Sequence, residues 1–429
     1  MEISGMKLLS TLSLGEGMAG GEGLATHVGP RGQRFLFTAS EKAPYDFVVA
    51  DVSDPTSPEV VHHHELVGPH VRSNNLAIWG DLLAVTRQAK EKGGSPAGVE
   101  FFDISTPSQP RAIGFFDASG GESIGTHFVW FDGDGFAYLA SQDADYDARD
   151  ARDQFMMKVL DVSDPTRAQE IGRWWIPGTQ RSDGTPAPLR PHERIARDRG
   201  VALTPEQVAS RRVQFDNVAS WDFGMRVHNV CVLPERPQRA YVAATSGGAF
   251  ILDISDRSKP RVVGALDYAA TLPAAAHTFV PLGASGFALL SDETLEEGAE
   301  DFPQNVWVVD VRLEDRPQIV GSLPMPWPAA VPSEGRFGAH NIHEYALGQG
   351  AWRDFNVAAG AFFGLGVGVY DLSSPLRPHE IGRFVPGVSP DGPSRGQLND
   401  VFLDDRAILY TIDRKSDTCF LLELEGSNE

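Results

Sequence analysis

Twelve histidines occur in this 429-residue chain, and six stand where separate parts of one scaffold could bring them together: His27, His127, His228, His277, His340 and His343. Imidazole ligates first-row metals, so their convergence would hold a transition metal ion, with Cu, Fe or Mn expected and Zn compatible. Charged side chains accompany them. Glu122 and Arg226, like Arg72 and Glu334, precede these positions and could bind substrate or move protons. Asp292 and Glu293 end a strand pattern next to His277, where a carboxylate can accept an imidazole N–H and orient the ring. Glu122, Arg226 and Glu293 are therefore the catalytic candidates. His62, His63 and His64 fall in an outer strand and suit packing or solvation, and His192 and His379 look peripheral. Asp143, Asp145 and Asp147 alternate as calcium ligands do, yet the glycine and distal glutamate of an EF-hand are missing, which favours a solvated loop. Dinucleotide-binding, P-loop, nucleophile-elbow and C-x-x-C signatures are absent from the sequence.

Histidines so distant in sequence need a repeated scaffold to meet. One phrase recurs: an apolar strand ending in Asp, a Ser/Pro-rich turn, and a second strand, as in VEFFDISTPSQPRAIG ending at Gly114 and AFILDISDRSKPRVVG ending at Gly264. β-branched and aromatic runs favour strands, and S-D-P or S-x-P segments favour turns, so each copy reads as a hairpin. A second strand pair precedes it, as in THFVWFDGDGFAYLAS, giving four strands per repeat. Four-stranded repeats of this length are the pattern of propeller blades. The seventh copy ends after its third strand, and Lys7 to Leu14 near the N-terminus resembles the missing fourth. The expected fold is thus all-β, one seven-bladed propeller over residues 1–429, closed by the N-terminal strand so that no sheet edge stays open. The fifth hairpin lacks the Ser and Pro at Val311 to Glu314, which predicts a differently built turn.

Within this scaffold the first residue of each innermost strand should face the axis. Aligning the repeats places His27, Asn74, His127, His228, His277, His340 and Asn399 there, so five of seven repeats carry imidazole at one place. Chance hardly yields that from 12 histidines in 429 residues. The same pattern also allows a plainer role, in which these histidines line a polar, water-filled channel as Asn74 and Asn399 would. His340 and His343 are three apart and would point to opposite faces of a regular strand, although a bulge could turn both inward.

The hairpin phrase resembles the LVIVD-repeat family of bacterial propellers and, more distantly, is similar to the selenium-binding protein (methanethiol oxidase) family. The first resemblance implies architecture. The second implies copper-dependent oxidation of thiols, and carotenoid cleavage oxygenases, which hold Fe(II) with four axial histidines in a seven-bladed propeller, point the same way by analogy of architecture. An O2-using oxidoreductase acting on a small organic substrate is the expectation. Oligogalacturonate lyases suggest an alternative on the same centre, a lyase or hydrolase in which the metal acidifies a C–H bond or water. A second alternative is a non-catalytic propeller that binds a partner protein.

Chain chemistry narrows the partners. With 37 Lys and Arg against 58 Asp and Glu the formal net charge is −21, which opposes binding to nucleic acid and to anionic membranes. The beginning of the sequence lacks a signal-peptide pattern, and a cytoplasmic location is expected. Cys231 and Cys419 lie in apolar runs and suit buried free thiols. Between blades 3 and 4, residues 176–226 are too long for an ordinary connection and read as an inserted lid. Thr204, Pro205 and Gln207 form a capping-box start for a helix to about Arg212, and Pro191 to Arg226 is expected to cover the channel mouth. The apolar connections YAATLPAAAH and MPWPAAVPSEGRFGAH should wall the pocket.

Overall fold

The computed structural model describes residues 1–216, 218–268, 275–301, 304–325, 334–387 and 396–426. Seven antiparallel sheets form the blades of a β-propeller. Blade 3 shows the plan, with strands Thr126–Phe131, Phe136–Ser141, Met156–Asp161 and Gln169–Trp174 running in order from axis to rim. Burial follows position. The second and third strands are buried on both faces, because neighbouring blades pack against each, whereas the outer strands alternate between covered and exposed residues.

The recurrent Asp of the hairpin phrase builds its turn. Its Oδ1 accepts the backbone N–H two residues on, from Asp51 to Ser53 at 2.9 Å, Asp103 to Ser105 at 2.9 Å and Asp253 to Ser255 at 3.0 Å. The fifth copy uses the same device and corrects the expectation of a different turn. Asp310 accepts from the Arg312 amide at 3.0 Å, and the Arg312 guanidinium takes the place of the serine hydroxyl. The glycine that ends the phrase has its own cause. A Cβ on Gly114, Gly172 or Gly264 would lie 1.9–2.1 Å from the turn carbonyl of the next blade, so the repeat encodes contact between blades.

The ring closes as the sequence implies. Met6–Ser13 pairs antiparallel with Thr418–Leu424 and becomes the outer strand of blade 7. Unforeseen is the three-residue strand Glu2–Ser4, which pairs with His379–Val385 of blade 6, so the first thirteen residues tie two blades together.

The insertion between blades 3 and 4 holds helices Pro191–Arg199 and Pro205–Ala209 and a hairpin of Arg212–Phe215 with Val218–Trp221. Thr204 and Gln207 make the reciprocal cap, but the helix stops at Ala209 because the chain extends into the hairpin at Arg212. The Pro191 helix was not foreseen; its signal was Pro191 at the first turn and Glu193, whose carboxylate accepts the Arg190 N–H at 2.8 Å. Arg190 anchors the insertion. It is buried, its guanidinium donates to Asp222 at 2.6 Å and to Asp153 at 2.7 Å, and Asp153 lies in blade 3. No helix among the described residues is long and apolar enough to cross a membrane.

Candidate metal centre

A β-bulge sets each axis-facing residue. In blade 3, Thr126 pairs with Ser141 and Phe128 with Ala140, leaving His127 out of the ladder. Blades 5 and 7 repeat this around His277 and Asn399. In blade 4, Ala243 opposes both His228 and Asn229, accepting from one amide at 2.8 Å and donating to the other carbonyl at 3.0 Å; Ala361 treats His340 and Asn341 alike in blade 6. A bulge turns the extra residue out of the pleat, and here it aims a side chain at the axis.

Four imidazoles meet there. The ring centroids of His127 and His228 lie 4.4 Å apart, those of His228 and His277 4.1 Å, and those of His277 and His340 4.5 Å. The Nε2 atoms of His127 and His228 are 3.1 Å apart. Two carboxylates join them. Glu22 Oε2 is 3.4 Å from His127 Nε2 and 3.5 Å from His277 Nε2, and Glu22 Oε1 is 3.7 Å from His340 Nε2. Glu293 reaches His228 Nε2 at 3.8 Å and His340 Nε2 at 3.7 Å.

A second layer fixes which nitrogen carries the proton. Asn399 O is 2.6 Å from His340 Nδ1, and a carbonyl only accepts, so Nδ1 is protonated and the Nε2 lone pair faces the axis. His228 Nδ1 likewise donates to Asn229 Oδ1 at 3.0 Å. Asn229 Nδ2 donates to Thr278 Oγ1 and to Glu344 Oε1, both at 2.9 Å, and Thr278 also bonds Glu344. With its hydroxyl proton given to Glu344, Thr278 Oγ1 accepts from His277 Nδ1 at 2.9 Å. Three imidazoles are thereby held in the tautomer a metal needs.

These residues fit an ion by two observations. Glu22 Oε2, His277 Nε2 and His340 Nε2 are buried without a hydrogen-bond partner, although burying such atoms unpaired costs about 1–3 kcal/mol each. Ligand nitrogens about 2.0–2.1 Å from one ion sit roughly 3.0–3.4 Å from one another, close to the spacings of the His127, His228, Glu22 and His277 atoms. The ligand atoms of Glu22, His228 and His277 all lie within 4.8 Å of one another, as do those of His277, Glu293 and His340.

The charges are matched. Burial alone would push the Glu22 carboxyl up, but His127, with His277 and His340, outweighs it and holds the group well below the usual range. Glu293 is also lowered, burial again being overcome by His340, Arg336 and His277. Burial, then the neighbouring imidazoles, pushes His228 well down and His277 down, so both favour the neutral form that ligates.

Beside the cluster opens a cavity of about 420 Å³, with Phe155 and Arg226 on one side and Arg336 on another. Phe155 meets His127 edge-on at 6.0 Å between centroids, and Arg336 donates to Glu293 at 2.9 Å, so cavity and cluster share walls. The insertion contributes Arg211, Asp222, Phe223 and Arg226 to this wall. Residues 269–274 and 326–333 of the expected apolar walls lie outside the described residues.

Of the sequence candidates, His127, His228, His277, His340 and Glu293 come together and Arg226 borders the cavity, while three others do not join them. His27 sits one residue from the turn, opposite Phe35, at the far end of its strand; its Nε2 bonds Asp81 at 2.8 Å. The alignment was displaced in blade 1, whose bulge between Gly20 and Leu24 presents Glu22 instead. His343 does not join His340 despite the bulge at His340 and Asn341. Its Nε2 donates to Trp352 O at 2.9 Å and its Nδ1 accepts from the Leu403 amide at 3.2 Å, so neither nitrogen is free. Glu122 projects from an exposed loop and pairs with Lys92 at 2.7 Å, away from the imidazoles.

The lesser candidates also find plain partners. Arg72 bonds Gln88, Glu334 is exposed, and Asp292 accepts from Tyr268 at 2.6 Å and Trp307 at 2.7 Å, not from an imidazole. Asp143, Asp145 and Asp147 pair with Lys158, Arg173 and Arg181. Sequence reasoning missed Glu22, and its signal was the glycine on either side. A Cβ on Gly21 would lie 2.7 Å from Asn74 O, and one on Gly23 would lie 2.5 Å from the Leu76 amide, so only this spacing lets the strand press against blade 2.

Comparison with known proteins agrees with the fold. The LVIVD repeat family matches residues 43–64 and 239–267, which are hairpin strands of blade 1 and the outer three strands of blade 4. No curated protein matches the sequence. A solved protein from Lactobacillus plantarum is similar in structure at TM-score 0.53 and 13% identity, covering 91% of this chain and 95% of that one. The Cps50 (Swd1) β-propeller domain of Myceliophteria thermophila is similar at TM-score 0.52 and 10% identity, covering 96% and 99%. The chain is a seven-bladed β-propeller, two segments of which match the LVIVD repeat.

Proposed function

We propose that this propeller is a metal-dependent enzyme, an oxidoreductase that uses O2 on a small organic substrate. The observation that carries the reading is the set of buried ligand atoms on Glu22, His277 and His340 that lack a hydrogen bond yet crowd one another at 3.5–3.7 Å, in the same space as His127 and His228. His127, His228, His277 and His340 would hold the ion, Glu22 would balance its charge, and Glu293 would complete the set or hold a proton beside it. The donors are nitrogen and carboxylate oxygen, and both thiols are buried in blades 4 and 7, so Fe or Mn suits the site better than Cu(I), with Zn compatible. Such an ion, when bound, supplies electron transfer and Lewis acidity. The protein's own part is to orient three imidazoles through Asn229, Thr278 and Asn399 and to admit substrate through the adjoining cavity. Similarity of the hairpin phrase to selenium-binding proteins, and the four-histidine sites of carotenoid cleavage oxygenases, support oxidation by analogy of architecture alone.

A second reading, a lyase or hydrolase on the same centre, is favoured by one feature. Glu293, bonded by Arg336 of the cavity wall, would be the base that removes a proton from bound substrate or water. Elemental analysis of untagged protein tests the centre: about one equivalent of Fe, Mn, Cu or Zn is expected, lost in a His228→Ala, His277→Ala double variant. Metal-free protein whose stability is unchanged by that double substitution would overturn both readings. Oxygen uptake by metal-loaded protein over a panel of small organic compounds then separates them.

A further inference from the structure

The cavity beside the cluster is lined by four guanidiniums in a chain whose net charge is −21. Three are already matched. Arg152 pairs with Asp150 at 2.6 Å and Asp222 at 2.9 Å, Arg211 with Glu296 at 2.7 Å, and Arg336 with Glu293 at 2.9 Å. Arg226 is different. Among the described residues its guanidinium has no hydrogen bond or ion pair; it lies 5.7 Å from the centre of the Phe155 ring, and its Nε is buried without an acceptor. Arg226 is half-buried, its charge is favoured at a distance by Glu293, Asp153 and Glu22, and its donors stay open to a ligand in the cavity. A buried donor left without an acceptor is unfavourable unless a ligand supplies one. The position is also informative. Phe155 contacts both Arg226 and His127, and the Arg226 charge is felt by His228, Glu293 and Glu22, so an anion on Arg226 would lie beside the cluster.

We infer that the cavity selects small organic acids, with Arg226 taking the substrate's carboxylate and the rest of the molecule directed at the His/Glu cluster. A planar fork matches a carboxylate with two parallel N–H bonds. Phosphate sites gather several donors around a higher charge, whereas here one cation is left over. Four guanidiniums around one cavity of an otherwise acidic molecule also draw anions to the mouth. This inference rests on the metal-centre reading for what happens to the acid, but the binding it asserts does not require the metal.

The test is calorimetric titration of the protein as purified with benzoate, phenylacetate and 4-phenylbutyrate, each against its neutral amide, and with inorganic phosphate. At least one carboxylate should bind about 10- to 100-fold more tightly than its amide, the range a charge-assisted hydrogen bond supplies. Arg226→Gln should remove that preference with metal content unchanged, and Arg226→Lys should restore part of it. The His228→Ala, His277→Ala double variant should keep the preference. Carboxylate binding in a protein that proves metal-free would therefore sink the metal centre and leave this inference standing. Equal affinity for acids and amides, no binding of any acid, tighter binding of phosphate than of every acid, or an acid preference that survives in folded Arg226→Gln would overturn it.

Discussion

Blades 3 to 6 and blades 7, 1 and 2 use one structural position for different ends. The first group places His127, His228, His277 and His340 on its bulges, and these side chains meet at the axis. The second places Asn399, Glu22 and Asn74 there; Glu22 alone brings a charge to the imidazoles, while Asn74 Nδ2 lies 3.3 Å from His127 Nδ1 and Asn399 O accepts from His340 Nδ1. The two asparagines serve the glutamate. Asn399 Nδ2 donates to the carbonyls of Gly20 at 3.1 Å and Gly21 at 2.9 Å, and the Glu22 amide donates to Asn74 O at 2.7 Å. Asn75 Nδ2 adds a bond to Glu22 O at 2.7 Å. One arc thus supplies lone pairs, and the other holds a single counter-charge against them. A seven-fold scaffold becomes a one-sided site by varying one residue per blade.

The contrast is broken most completely from the imidazole side. His277 is central, touching His228 and His340, so His277→Ala should lower metal content to below about a tenth of an equivalent by elemental analysis. Glu22→Gln keeps the shape and removes the charge; a fall in metal affinity of about 10- to 100-fold is expected, the size usual for losing a group that supports a site. If Glu22→Gln binds metal as tightly as wild type in competition with a chelator, the second arc contributes no electrostatics.

Much of the comparison was legible in the sequence, and the part that was not has a physical cause. The repeat phrase implied blades, and the orphan N-terminal strand implied closure, because alternation and turn chemistry act locally. His127 and His277 align because each stands four residues before the end of its innermost strand, at Phe131 and Pro281. Blade 1 broke the alignment. Its bulge spans Gly20 to Leu24 and sets Glu22 six residues before the strand end at Val28, so counting from the second strand stopped at His27, five residues past Glu22. The orienting network was also invisible, since Asn229, Thr278 and Glu344 come from three blades and their relation exists only in the closed ring.

Glu344 sharpens the comparison through pH. Burial pushes its carboxyl up to about 7, only partly offset by the bonds from Asn229 and Thr278, with Glu22 adding to the rise. A carboxyl raised in the folded state contributes stability that is present below its unfolded value near 4.5 and is lost as pH rises through about 7. Glu344→Gln should therefore remove a decline in stability between those limits, on the order of 2–3 kcal/mol at most, measured by urea unfolding of metal-free protein at pH 5 and pH 8. If the two proteins keep the same difference at both pH values, Glu344 does not titrate in this window.

The smallest effect should fall on the histidine that looks most like a ligand in the alignment. His27 is buried, but its partner Asp81 is largely exposed, with 63% of its side chain accessible, and solvent screens the pair. His27→Asn should cost less than about 1 kcal/mol through that pair, with a further small loss from imperfect packing. Metal content should remain equal to wild type, because the ring lies at the opposite end of the innermost strand from Glu22. The same substitution in His277 must abolish binding if the bulge, rather than the residue type, decides which imidazoles reach the axis. Equal metal loss in the two variants would mean that position in the strand carries no such information.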